Sequence, residues 1–221
     1  MNSPMNLEQA RFNMIEQQIR PWDVLDTEIL QLLSAVKREE FVPKAYRSLA
    51  FVDMELPLPE GQHMLSPKLE ARLLQDLHIQ KHESVLEIGA GSGYMAALLA
   101  HRAARVVSLE IQPGLVDLAR GNLRHAGISN VEIKLADGAK DTKALGSFDV
   151  ILLSGSVASV PQNLMDMLKP GGRLAAIVGT EPVMRAHFVV RKADGSLGMT
   201  EPWDTIAPRL LNFPEPSAFS F

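Results

Sequence analysis

Hydrophobic and polar positions divide the chain into a helical first third and an alternating remainder. Leu7, Met14, Ile15 and Ile19 recur near helical spacing, with Glu8, Arg11, Glu16 and Gln17 between them. That pattern predicts an amphipathic helix stopped by Pro21. Asp26 or Thr27 can cap a second helix carrying Ile29, Leu32, Leu33 and Val36, with Phe41-Val42-Pro43 as its end. Residues 51–67 contain Pro57, Pro59, Gly61 and Pro67 and read as one long connection. Connections of that length inside compact domains often carry function.

Beyond Pro67 helices and strands alternate. Leu69, Leu73, Leu74 and Leu77 mark a helix, Ser84–Ile88 a strand, Tyr94–Arg102 a helix and Arg105–Leu109 a strand. Gln112–Ala126 reads as a helix closed by Gly127, the residue type favoured at helix ends. Strands are then expected at Val131–Leu135, Phe148–Leu153 and Arg173–Val178, with a helix at Pro161–Leu168. Two further β-rich stretches, Ala186–Lys192 and Met199–Pro202, flank the hairpin-turn sequence Ala193-Asp194-Gly195-Ser196. The alternation predicts an α/β fold, a mostly parallel sheet with helices on both faces. The unbroken apolar run Val150-Ile151-Leu152-Leu153 suits a strand buried on both sides.

Composition narrows the chemistry. The 221 residues carry a formal net charge of −4. That mild acidity offers no clustered basic surface for nucleic acid. There is no cysteine, so disulfides, thiolate zinc sites and cysteine nucleophiles are excluded, and a reducing cytoplasm is the expected setting. The six histidines have no metal-ligand spacing, and no metal site is expected. Met1–Gln9 shows neither a basic nor an apolar signal region. Apolar runs such as Ala96–Ala100 and Leu174–Val178 fall short of the roughly 20 residues that span a membrane, so no membrane partner is expected. The oligomeric state is not legible.

The strongest chemical signal is Ser84-Val85-Leu86-Glu87-Ile88-Gly89-Ala90-Gly91-Ser92-Gly93-Tyr94, a strand running into a glycine-rich turn. Ligands of open parallel sheets bind at such carboxyl ends. Glycines there let a ligand approach the backbone, and the next helix presents free N–H groups. A nicotinamide site favours G-x-G-x-x-G, but Tyr94 occupies the third glycine's place. Glu87 would repel a pyrophosphate, whereas it suits the ammonium of a methionine moiety, directly or through water. The turn therefore favours S-adenosyl-L-methionine, with S-adenosyl-L-homocysteine as product, and Gly89, Ala90, Gly91, Gly93 and Tyr94 are assigned to it. Glu110, beside Ile111, follows the next strand about 20 residues later, where an acid can accept from ribose hydroxyls. Asp137-Gly138 follows the third strand, where Asp137 can accept from the adenine amine. The Lys169-Pro170-Gly171-Gly172 turn is assigned no chemistry.

These residues, with Met14-Ile15-Glu16-Gln17-Gln18-Ile19-Arg20, Arg38-Glu39-Glu40-Phe41-Val42-Pro43 and Gly61-Gln62, resemble the protein-L-isoaspartate O-methyltransferase family over about residues 12–180. The cofactor motif is shared by many methyltransferases, and the N-terminal helix and Phe-Val-Pro segments are more specific. The resemblance implies a Rossmann-like, mostly parallel seven-stranded sheet. It divides the chain into an N-terminal helical extension with an active-site loop (1–66) and a methyltransferase domain (67–221), one compact unit. It also implies methyl transfer to the α-carboxyl of L-isoaspartyl residues, or the side chain of D-aspartate, in a damaged protein or peptide, as protein repair.

One segment departs from the family. Its members typically read Gly-x-Gly-Gln-Thr-Ile-Ser-x-Pro, with the serine beside the reacting groups, where this chain reads Glu60-Gly61-Gln62-His63-Met64-Leu65-Ser66-Pro67. Leu65 falls on the serine, and leucine neither donates nor accepts a hydrogen bond. Either Ser66 takes that role or the role is absent, which leaves open a different acceptor or lost turnover. Ser66, His63 and Leu65 are the catalytic candidates. His63 can orient a substrate carboxylate or can be a plain loop histidine. Met54, Met64 and Met95 can line a peptide groove or fill core. Thr205 or Arg209 can approach the pocket, and Phe213-Pro214-Glu215-Pro216 reads as an extended tail.

Overall fold

A computed structural model describes residues 6–215. Two expected segments, Met1–Gln9 at the start and the tail at Pro216, lie partly outside them. The helices are α1 (Leu7–Met14), α2 (Thr27–Ala35), α3 (Pro67–Asp76), α4 (Tyr94–Arg102), α5 (Pro113–His125) and α6 (Gln162–Asp166). The strands are β1 (Leu56–Pro57), β2 (His63–Met64), β3 (Ser84–Ile88), β4 (Arg105–Glu110), β5 (Val131–Leu135), β6 (Phe148–Val157), β7 (Leu168–Thr180), β8 (Val183–Arg191), β9 (Leu197–Thr200) and β10 (Asp204–Thr205).

The main sheet is ordered β5-β4-β3-β6-β7-β8, with β9 and β10 both on the outer edge of β8. Five strands are parallel, and β8, β9 and β10 are antiparallel additions. The sheet is thus seven strands across. The edge strand is interrupted at Glu201-Pro202-Trp203, where Pro202 has no N–H to donate, and the ladder resumes as Ala186 N donates to Trp203 O at 3.0 Å. Strand order reverses between β3 and β6, the place where open sheets of this class bind ligands. Ile88 pairs with Leu153 there, so Gly89 and Ser154 follow the last β3–β6 pair, Gly89 leaving the sheet while β6 continues.

Successive strand residues face opposite sides. Val85, Val106, Val150 and Leu152 join a core with Met14, Ile19, Leu33, Phe41 and Leu73, so the N-terminal helices share the core of the sheet's first face. Leu86, Val107, Ile151 and Leu153 point the other way, toward Leu164 and Phe213.

Several boundaries differ from the sequence expectation. The second helix stops at Ala35 rather than at Phe41, and Arg38–Glu40 form a separate 3-10 turn. The reason is a buried ion pair. Arg38 is wholly buried against Glu70 and also donates to Ala50 O (3.1 Å) and Leu65 O (2.8 Å), bonds that a continued helix would not allow. Residues 51–67 are not merely a connection: β1 and β2 pair as a small hairpin closed by a turn with Glu60 and Gly61 at positive φ. β6 runs to Val157 rather than Leu153 because Ser156 bonds the returning C-terminal segment, accepting from Leu210 N (2.9 Å) and donating to Pro208 O (2.7 Å). β7 begins at Leu168, which shortens the expected helix before it to α6.

Candidate active site

The glycine turn is built by backbone bonds to the neighbouring strand end. Gly89 N and Ala90 N both donate to Leu109 O, at 2.9 and 3.1 Å, and Gly93 N closes the turn onto Ala90 O at 2.8 Å. Gly93 has φ +83, and a Cβ there would lie 3.2 Å from the Ala119 backbone. Glycine at this position therefore sets how closely α5 packs. Glu110 completes the turn: its Oε2 accepts from Gly91 N at 2.8 Å and its Oε1 from Gln112 N at 3.0 Å. A carboxylate has about four acceptor sites, so two remain for ribose hydroxyls.

An elongated cleft runs along the strand ends. Gly89, Gly91, Glu110, Ile111, Asp137, Gly138 and Ser154 line it, as do the apolar Ile88, Leu109 and Leu115. His63 reaches it from β2, and Arg209 from the far wall. Asp137 is already engaged. Ala139 N donates to its Oδ1 and Asn212 Nδ2 to its Oδ2, both at 2.9 Å. Burial alone would raise this carboxyl, but those bonds and Lys140 outweigh it and hold Asp137 below the usual range.

Glu87 sits apart from the cleft. It is fully buried, and each carboxylate oxygen accepts a serine hydroxyl, Oε2 from Ser108 at 2.6 Å and Oε1 from Ser154 at 2.7 Å. Burial pushes its carboxyl up to about 7 against the pull of both serines, and Glu110 adds a smaller like-charge push. Only Ser154 of this trio lines the cleft, so that hydroxyl stands between Glu87 and the cleft. Sequence reasoning missed Ser154. Its signal was its place just beyond an apolar strand, level with the glycine turn.

Tyr94 also faces inward. It is buried in an edge-to-face contact with Phe41, under the Arg38 guanidinium, and burial raises its hydroxyl above the ordinary range. Its hydroxyl has no partner among the described residues. Tyr94 borders a small cavity behind the turn that also touches His63, Leu65, Gly89, Ala90, Ser92 and Met95.

The three catalytic candidates separate. Leu65 is buried and faces the glycine turn. His63 is exposed and borders both cavities at the turn. Ser66 faces a different and larger groove, on the other side of the chain. Its hydroxyl makes no capping bond although Ser66 is the N-cap of α3, and it has no hydrogen-bond partner among the described residues. Pro208 borders both the cleft and the groove, so the two share a wall. Of the methionines, Met64 and Met95 are core, whereas Met54 lines the groove together with Thr205.

Comparison with known proteins agrees with this arrangement. Residues 9–206 match the family model described as protein-L-isoaspartate(D-aspartate) O-methyltransferase. A protein-L-isoaspartate O-methyltransferase from Methanoculleus marisnigri is 41% identical over 169 residues, 76% of this chain and 77% of that protein. One from Koribacter versatilis is 38% identical over 195 residues, 88% of this chain and 86% of that protein. A solved protein-L-isoaspartate O-methyltransferase superposes with a TM-score of 0.76 at 27% identity, covering 90% of this chain and 65% of that one. The fold is shared as well by a Plasmodium falciparum protein solved in complex with S-adenosyl-L-homocysteine, with TM-score 0.76 and 19% identity over 94% of this chain and 99% of that one. This chain belongs to the protein-L-isoaspartate(D-aspartate) O-methyltransferase family.

Proposed function

We propose that this chain transfers a methyl group from S-adenosyl-L-methionine to the α-carboxylate of L-isoaspartyl residues, or the side chain of D-aspartate, in damaged proteins. The carrying observation is that Glu110, Asp137 and the glycine turn line one cleft, and that Pro208 is common to this cleft and the open groove beside Ser66. The donor set fits the cofactor: carboxylates for ribose and adenine amine, apolar Ile88 and Leu115 for the ring, and close backbone at Gly89 and Gly91.

The cofactor supplies an electrophilic methyl on a sulfonium. The acceptor carboxylate is ionised at pH 7 and needs no general base. A C–O bond forms as the C–S bond breaks, its electron pair passing to sulfur, so opposite charges are neutralised together. Catalysis then lies in alignment and in a water-poor site. Leu65 and Met64, both buried beside the turn, exclude water there. Ser66 offers its free hydroxyl to the acceptor from the groove side, and His63 lies at the mouth. The backbone amide nitrogen then displaces methanol from the ester to close a succinimide, and hydrolysis at one or other imide carbonyl returns aspartyl linkage in part and isoaspartyl linkage for another round.

Leu65 at the place of the family's serine favours one second reading, a related methyltransferase for another carboxylate. Mass spectrometry separates the two. The first expects a methyl ester on the isoaspartyl α-carboxyl followed by succinimide, and labelling confined to other acceptors supports the second. We place the reaction in a reducing cytoplasm, with protein rather than nucleic acid as partner. Among the described residues no helix is long and apolar enough to cross a membrane.

A further inference from the structure

The groove beside Ser66 encloses about 730 Å³ and has a composite lining. Four exposed apolar side chains border it: Trp22 at 48%, Met54 at 41%, Val183 at 62% and Ile206 at 54% exposure. Exposed apolar surface gathered at one concavity marks a binding surface. Its charged lining is one-sided. The single lysine, Lys68, is already satisfied by Asp53 at 2.9 Å and lies 4.0 Å from the Trp22 ring centre. Asp204 is likewise paired, with Arg185 at 3.0 Å.

Glu55 and Glu181 are different. Both line the groove, and neither forms an ion pair or side-chain hydrogen bond among the described residues. They feel each other: burial raises the Glu55 carboxyl, His63 opposes that rise and Glu181 adds to it. Two carboxylates without an ion-pair partner among the described residues thus stand in the groove beside Ser66, the side from which the isoaspartyl reading brings its anionic acceptor. An acceptor bearing only its own carboxylate meets like charge there. One that also carries a cation brings the missing counterion to Glu55 and Glu181 while its carboxylate reaches Ser66.

We propose that the groove selects isoaspartyl segments with Lys or Arg within two residues of the isoaspartyl residue, through Glu55 and Glu181, with apolar neighbours resting on Trp22 and Ile206. The inference rests on the isoaspartyl reading above. Extended chain advances about 3.3 Å per residue, so a neighbouring lysine reaches across a groove of this size.

The test uses three fluorescent isoaspartyl peptides, identical except for Lys, Gln or Glu two residues from the isoaspartyl position. Their binding to the S-adenosyl-L-homocysteine-loaded protein is read by anisotropy, and their methylation by KM. Kd and KM are expected to rise from Lys to Gln to Glu, about tenfold between the extremes at low salt and less at high salt. Glu55→Gln with Glu181→Gln should collapse that ratio. Glu55→Lys with Glu181→Lys should invert it, a gain for the Glu peptide that misfolding cannot mimic. Equal Kd for all three peptides, or a ratio untouched by these substitutions, overturns the inference. Charge-independent binding with brisk methylation leaves the isoaspartyl reading standing. Charge-ranked binding with no methylation of any peptide sinks that reading instead.

Discussion

The Ser154 hydroxyl donates to the Glu87 carboxylate at 2.7 Å, across the β3–β6 boundary where strand order reverses. Ser154 lines the cleft and Glu87 does not, so one hydroxyl links a buried carboxyl to the cleft wall.

That burial has a measurable pH signature. The Glu87 carboxyl titrates near 7 in the fold against 4.5 unfolded. Below 4.5 both states are protonated. Between 4.5 and about 7 the unfolded chain ionises first, so stability contributed by Glu87 falls as pH rises and levels off above that window. Glu87→Gln is expected to remove about 3 kcal/mol of this slope. Urea unfolding of both proteins from pH 4.5 to 8 reads the difference, and parallel curves would count against it.

Glu110 both holds the turn at Gly91 N and lines the cleft proposed for the cofactor. Glu110→Ala is expected to weaken cofactor binding by about 10- to 100-fold, one to three kcal/mol for hydrogen bonds to a charged group. Isothermal titration with S-adenosyl-L-homocysteine measures it.

Asn212 occupies the Asp137 oxygen that an adenine amine would use. Removing that competitor by Asn212→Ala should tighten cofactor binding about two- to fivefold, the worth of one exposed hydrogen bond. Asp137→Ala should weaken it. Weaker binding by Asn212→Ala would show that Asn212 supports the ligand instead.

Arg38 ties α3 to the active-site segment, through Glu70 and through Leu65 O. Arg38→Met strands a buried carboxylate and should cost about 3–5 kcal/mol. Arg38→Met with Glu70→Leu should recover most of that in thermal melts. The double variant should still turn over more slowly, because the Leu65 carbonyl has lost its tether.

Ser66→Ala removes a hydroxyl that makes no capping bond. Tm is expected to stay within about 1 °C while kcat/KM falls about 100-fold, the lower end for a lost preorganised donor. Unchanged kcat/KM would mean that Ser66 is not the serine's surrogate.

Much of the fold was legible because local signals agreed. Ser84–Ile88, Tyr94–Arg102 and Val131–Leu135 fall where the apolar runs and glycines put them. What escaped depends on distant partners. α2 ends at Ala35 because Arg38 must meet Glu70, 32 residues away. β6 is long because Ser156 pairs with Pro208 and Leu210 from the far end of the chain. In the candidate site, the spacing located the glycine turn, Glu110 and Asp137 at one cleft. It could not show that Glu87 and Tyr94 turn inward, since the face a strand or helix residue takes is set by what packs around it. Nor could it separate Leu65 from Ser66, whose opposite faces follow from the β2 hairpin and the start of α3.

The most direct test of the central claim is methanol released after incubation with S-adenosyl-L-methionine and a peptide holding one isoaspartyl residue, beside its normal aspartyl twin. The isoaspartyl peptide is expected to yield stoichiometric methanol and succinimide while the twin stays at background. Equal, negligible methanol from both would contradict it.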